Sequence, residues 1–130
     1  MLRVGLVGYG YWGPNYARLL RESERAVLTW CCDLSSAALT AAKQPDPAIK
    51  TTPHLDELLE APDCDAVIVI VPTSRHYLVA KRVIGAGKDL LVEKPLADER
   101  TSAQFAQAAE ARWDDADGRS LIASTGTPRR

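Results

Sequence analysis

Gly8, Gly10 and Gly13 stand in the spacing G-x-G-x-x-G within "VGLVGYGYWGPNYARLL", residues 4–20, directly after an apolar run and at the start of a helix-like pattern. Each position has its own physical use. The first glycine permits a tight turn, the second lets backbone approach a pyrophosphate, and the third lets a helix pack closely on a strand. The helix that follows offers unpaired N–H groups and the positive end of its dipole to phosphate oxygens. Three spaced glycines also serve ordinary turns, so the pattern alone is weak. Asp33 strengthens it, because it stands 20 residues past Gly13 at the end of a second apolar run. A carboxylate there can accept hydrogen bonds from an adenine ribose. Leu34, Ser35 and Ser36 follow, so a 2′-phosphate would meet a carboxylate with no adjacent cation, which favours NAD over NADP. The competing reading is that Asp33 only ends a strand and helps to cap the next helix.

Two later stretches have the composition of site loops. "VPTSRHY", residues 71–77, follows an unbroken β-branched run, so Pro72, Thr73 and Ser74 are expected at the same sheet edge as the glycine loop. The plainer account is a proline turn with Ser74 as helix cap, and His76 could either hydrogen-bond near a nicotinamide or stabilise the loop. "VEKPLA", residues 92–97, puts Glu93 and Lys94 at the end of another apolar strand, with Pro95 stiffening the chain after them. A lysine beside a reacting carbinol can orient its oxygen and assist proton movement during hydride transfer; an exposed lysine before a turn is the alternative.

These residues must be positioned by alternating strands and helices. Strands are expected over residues 2–8, 26–33, 65–71 and 88–95, with a weak one over 120–124. Helices are expected from Gly13 to Ser23, over 35–44 with Ser35 as cap, 54–61, 74–87, and an Ala-rich one over 98–113. Pro14 is tolerated in a first helical turn, where its missing N–H has no partner to lose. The run "DAVIVIV" (65–71) lacks polar alternation and fits a central strand covered on both faces. The alternation predicts an α/β fold with a doubly wound, mostly parallel sheet in three α/β/α layers.

Composition bounds the partners. With 16 Lys plus Arg against 17 Asp plus Glu, the net charge of −1 gives no electrostatic reason for a nucleic-acid or anionic-membrane partner. No apolar stretch approaches the ~20 residues of a membrane helix and no signal-peptide pattern opens the chain, so a cytoplasmic location is expected. Cys31, Cys32 and Cys64 show no C-x-x-C spacing or histidine partner, and read as reduced thiols in or near the core, with no metal site.

Taken together, "GLVGYGYWGPNYARLL", Asp33, "VPTSRHYLVA" and "AGKDLLVEKPLA" resemble the amino-terminal Rossmann domain of the Gfo/Idh/MocA family of NAD(P)-dependent oxidoreductases, over roughly residues 2–112. The resemblance implies that the glycine loop (Gly8, Tyr9, Gly10, Tyr11, Trp12 and Gly13) and Asp33 bind the dinucleotide. It implies that Pro72, Thr73, Ser74 and His76 line its path, and that Glu93, Lys94 and Pro95 form the family's E-K-P motif, with Lys94 as the catalytic lysine. "YGYWGPN" is most similar to members acting on sugars and nucleotide sugars. The resemblance implies that substrate-recognising residues belong to a second α/β domain, which is expected to be absent from these 130 residues. The expected organisation is therefore a cofactor domain over 1–118 and a truncated or frameshifted tail over 119–130. The codons of Thr125–Pro128, read from the third base of Thr125, can spell the Gly-His-Thr that would lead into the second domain. Such a chain is expected to bind cofactor with little turnover and to self-associate through its uncovered apolar face; a stand-alone binding module is the alternative.

Overall fold

The computed structural model describes residues 1–92 and 122–124. Strands β1 (Leu2–Val7), β2 (Ala26–Cys32), β3 (Lys50–Thr52), β4 (Ala66–Val69), β5 (Asp89–Val92) and β6 (Ile122–Ser124) form one sheet in the order β3-β2-β1-β4-β5-β6. Every pairing is parallel. Helices α1 (Gly13–Glu22), α2 (Ser36–Lys43), α3 (Leu55–Glu60) and α4 (Thr73–Gly85) supply crossovers that parallel neighbours require. The chain winds outward from β1 through β2 to β3, then returns to pair β4 on the other side of β1. This reversal opens a crevice at the carboxyl ends of β1 and β4, the place where doubly wound sheets bind ligands.

The two faces are filled by alternation along the strands. Val4 and Leu6 of β1 and Ile68 of β4 pack with Ala17 of α1 and Ala42 of α2. Val7, Val67 and Val69 point to the opposite face and pack with Leu58 and Leu59 of α3 and Val79, Ala80 and Val83 of α4. All four residues of β4 are buried, as its apolar run requires of a strand covered on both sides. The β1–β2 register slips between Val4 and Gly5, leaving Thr29 as an extra residue in β2. That bulge lets Leu28 and Cys31, three positions apart, share a face. The Thr29 hydroxyl donates to the Asp63 carbonyl at 2.8 Å, tying the bulge to the loop before β4.

Two local expectations need correction. β3 was not anticipated, because Lys50-Thr51-Thr52 is short and polar and its pairing with β2 rests on backbone bonds rather than an apolar pattern. Ser74 does not cap α4: the helix starts at Thr73 with Pro72 at the N-cap and no side-chain cap, so Ser74 sits inside the first turn. Ser35 does cap α2, accepting the Ala38 N–H at 3.2 Å. The helix expected over 98–113 lies outside the described residues. Among the described residues, no helix is long and apolar enough to cross a membrane.

Candidate cofactor site

The glycine loop is shaped from both ends. Gly8 has φ +98°, and a Cβ built on it would lie 2.3 Å from the Ile70 carbonyl oxygen. Only glycine fits a left-handed turn that presses backbone against backbone. The Gly8 N–H donates to the Cys32 carbonyl at 2.8 Å, extending the β1–β2 ladder into the turn. Tyr9 is buried, and a Cβ on Gly13 would lie 3.0 Å from its ring, so the first turn of α1 rests on the Tyr9 side chain. Burial pushes the Tyr9 phenol above its ordinary range. Gly10 is exposed, with nothing within 4 Å of an added Cβ. Tyr11 and Trp12 are exposed too, their rings edge to face at 5.3 Å.

Asp33 follows β2 and faces this loop. Its Oδ2 accepts the Tyr9 N–H at 2.8 Å and its Oδ1 accepts the Ser35 N–H at 2.8 Å. The same carboxylate thus anchors the glycine loop and shapes the turn into α2, while each oxygen keeps acceptor capacity for a further donor. On either side of the crevice, α1 and α4 begin without a side-chain cap and without an acidic residue in the first turn. By contrast α2 carries its serine cap, and α3 has Asp56 and Glu57 in its first turn. The two helix ends at the crevice keep their positive dipoles uncompensated by side chains, which suits an anionic ligand.

A cleft of about 1050 Å³ opens here, lined by Gly8, Gly10, Asp33, Leu34, His54, Pro72, Arg75 and Leu78 among others. Leu34 and Leu78 are 72% and 64% exposed, so apolar surface faces the cleft beside its polar groups. Arg82 of α4 and Asp56 of α3 also line it and pair with each other. Cys32 also lines it. Burial, reinforced by the Asp33 carboxylate, pushes the Cys31 thiol up to about 12 and the Cys32 thiol up to about 11. All three cysteines are buried and free. Among the described residues, no group of three His, Cys, Asp or Glu side chains is placed to hold a metal ion.

A family model described as an oxidoreductase family with an NAD-binding Rossmann fold matches residues 2–116. The chain belongs to the Gfo/Idh/MocA oxidoreductase family. Among its Gfo/Idh/MocA relatives, inositol 2-dehydrogenase 2 of Paenarthrobacter aurescens is 35% identical over 130 residues, 99% of this chain and 38% of that protein. The crystal structure of GenD2 from gentamicin A biosynthesis, in complex with NAD, is 31% identical with a TM-score of 0.84, covering 95% of this chain and 34% of that one. Scyllo-inositol dehydrogenase from Lactobacillus casei, solved with NAD(H) and scyllo-inositol, has a TM-score of 0.85 at 21% identity over 96% of this chain and 36% of that one; it supports the fold. The chain spans between about a quarter and two fifths of the length of such relatives.

Of the residues expected to serve the family's cofactor, Gly8, Gly10, Asp33 and Pro72 line one cleft, with Tyr9 and Gly13 packed beneath the loop. His76 is buried, its Nε2 2.5 Å from the Val71 carbonyl oxygen, so the ring holds the β4–α4 turn from inside. Thr73 opens α4, and Ser74 is exposed in its first turn. Glu93, Lys94 and Pro95 lie outside the described residues. Sequence reasoning missed Leu34, His54, Arg75 and Leu78 as lining residues. An apolar Leu34 amid Asp33, Ser35 and Ser36 was the available signal for one of them.

Proposed function

We propose that the cleft binds NAD, and that the chain is the cofactor half of an oxidoreductase moving hydride between NAD and a hydroxyl-bearing carbon of a cyclitol or sugar. One observation carries this reading: the glycine turn, the Asp33 carboxylate and the uncapped starts of α1 and α4 meet at the β1/β4 reversal. The exposed Gly10 backbone, with open space above it, would hold the diphosphate. Asp33 would accept the adenine ribose hydroxyls on its remaining lone pairs, and Leu34 and Leu78, which line the cleft, would offer apolar surface to the adenine. A 2′-phosphate would approach the Asp33 carboxylate, so NAD is the expected form. The inositol 2-dehydrogenase relative supports a polyhydroxylated ring as substrate, and the NAD complex of GenD2 supports NAD as cofactor.

Val92 ends β5 beside β4 and leads directly into Glu93 and Lys94. In this reading Lys94 is the catalytic lysine, orienting the substrate oxygen and easing its proton as hydride moves. NAD supplies the hydride acceptor; these residues bind and orient. The family's second domain carries the substrate residues, so the 130-residue chain alone is expected to bind NADH without appreciable turnover of inositols or sugars. Titration with NADH and NADPH followed by nucleotide fluorescence tests the cofactor claim. NADH binding at least about tenfold tighter is expected, a difference of about 1.4 kcal/mol. Equal affinity or a preference for NADPH would overturn the assignment of Asp33 to the ribose.

A further inference from the structure

We propose that Asp33 acts on the diphosphate through the backbone, as the positioning residue of the glycine turn, in addition to accepting the ribose hydroxyls. The inference rests on the cofactor reading above and deepens it. The path from Gly8 to Gly13 is fixed at three points. Gly8 is held by its ladder bond to Cys32 and by its fit against Ile70, Gly13 rests on the Tyr9 ring, and the Tyr9 amide is held by Asp33 Oδ2 at 2.8 Å. Of these, only the Asp33 bond comes from a polar side chain reaching across from the neighbouring strand's end. The exposed residues Gly10, Tyr11 and Trp12 follow immediately after it. Holding the Tyr9 amide therefore sets where the Gly10 backbone leaves the sheet edge.

The carboxylate is itself held in place, because Oδ1 takes the Ser35 N–H at 2.8 Å while the Asp33 N–H donates to the Thr52 carbonyl at 3.2 Å. Two backbone donors leave about two of its four lone-pair sites open. Loop anchoring and ribose recognition therefore coexist on one side chain. Ordering the loop before the ligand arrives lowers the entropy lost on binding, so the benefit reaches any ligand bearing the diphosphate.

The test separates the two roles by trimming the ligand. ADP and 2′,3′-dideoxy-ADP are titrated by calorimetry into the wild-type chain, Asp33→Ala and Asp33→Asn. Because dideoxy-ADP has no ribose hydroxyls to donate, any effect of Asp33 on it passes through the loop. Asp33→Ala is expected to weaken dideoxy-ADP about tenfold, the low end of what a charge-assisted hydrogen bond contributes. Asp33→Asn, which keeps one acceptor oxygen, is expected to fall between. Hydrogen exchange on the unmodified chain adds a readout that needs no variant: the Tyr9 amide is expected to exchange at least about tenfold more slowly than that of Gly10. Wild-type affinity for dideoxy-ADP in both variants, or Tyr9 exchange as fast as Gly10, would overturn the positioning role and leave the cofactor reading standing. Failure of the wild-type chain to bind ADP or NADH at all would overturn both.

Discussion

Replacing Gly8 and Gly10 separately by alanine is expected to divide fold from ligand. At Gly8 the added methyl meets two penalties. A left-handed backbone with φ +98° costs an L residue about 1–3 kcal/mol. Its Cβ also falls 2.3 Å from Ile70 O, about 0.7 Å inside the closest approach real side chains show, and the obstacle is backbone. Ile70 cannot simply retreat, because its N–H donates to Val7 O at 2.8 Å in the β1–β4 ladder. Overpacking of this kind costs a further ~1–3 kcal/mol. The expected loss of about 2–6 kcal/mol is a large share of the ~5–15 kcal/mol that stabilises a typical domain. Thermal unfolding followed by circular dichroism should show Tm lower by about 10 °C or more, at a few degrees per kcal/mol. Gly10→Ala meets nothing within 4 Å and should melt within about 2 °C of the wild type, yet bind NADH at least about tenfold more weakly, because the methyl occupies the diphosphate's approach. Gly8→Ala melting with the wild type, or Gly10→Ala binding NADH unchanged, would refute the division of roles.

Four further outcomes are expected. Cys31 and Cys32, with thiols pushed up to about 12 and about 11, should resist a thiol-labelling reagent at pH 8 in the folded chain and react only on unfolding; modification of either at the rate of a free thiol would contradict their burial. Those raised values also give a sign to the alkaline limb. The unfolded thiols lose protons from about pH 8.5 while the folded ones keep theirs, so urea stability should fall between about pH 9 and 11, and a Cys31→Ala, Cys32→Ala double variant should flatten that decline. Leu34→Ser and Leu78→Ser should each weaken NADH binding several-fold, by loss of about 1 kcal/mol of apolar contact with adenine, without lowering Tm; unchanged affinity would move the adenine elsewhere. At the amino edge of the sheet, Asp63 is held below the ordinary carboxylate range by hydrogen bonds from Trp30 and Lys50, and Asp65 by Arg3. Their stabilisation is present above about pH 4 and should be lost as pH falls further, and acid unfolding monitored at Trp30 should shift to higher pH in Asp63→Asn.

The parts of the molecule that could be read from sequence are those whose cause is local. The first turn needed glycine at position 8 because of its own backbone angle, and that need shows in the chain as spacing after an apolar run. β4 announced itself because burial on both faces leaves no polar alternation. What escaped reading depends on partners distant along the chain. Nothing in Lys50-Thr51-Thr52 marks a strand until Trp30, Cys31 and Cys32 stand beside it. The bond from the Tyr9 amide to Asp33 joins residues 24 apart, and with the Ser35 N–H on the other oxygen it ties the glycine loop to the turn before α2 through one carboxylate. His76 sits at helical spacing from Ala80 and Val83, a periodicity that marks the inward face, and its buried ring on the Val71 carbonyl takes the loop-stabilising one of the two roles that its place in the sequence allowed.

The most direct measurement is an amide chemical-shift map of the labelled chain titrated with NADH. Saturable shifts concentrated at Gly8–Gly13, Asp33–Ser35 and Val71–Arg75 are the expected result, since these segments surround the β1/β4 crevice. Shifts confined to other parts of the chain, or none at millimolar NADH, would contradict the cofactor site on which the account rests.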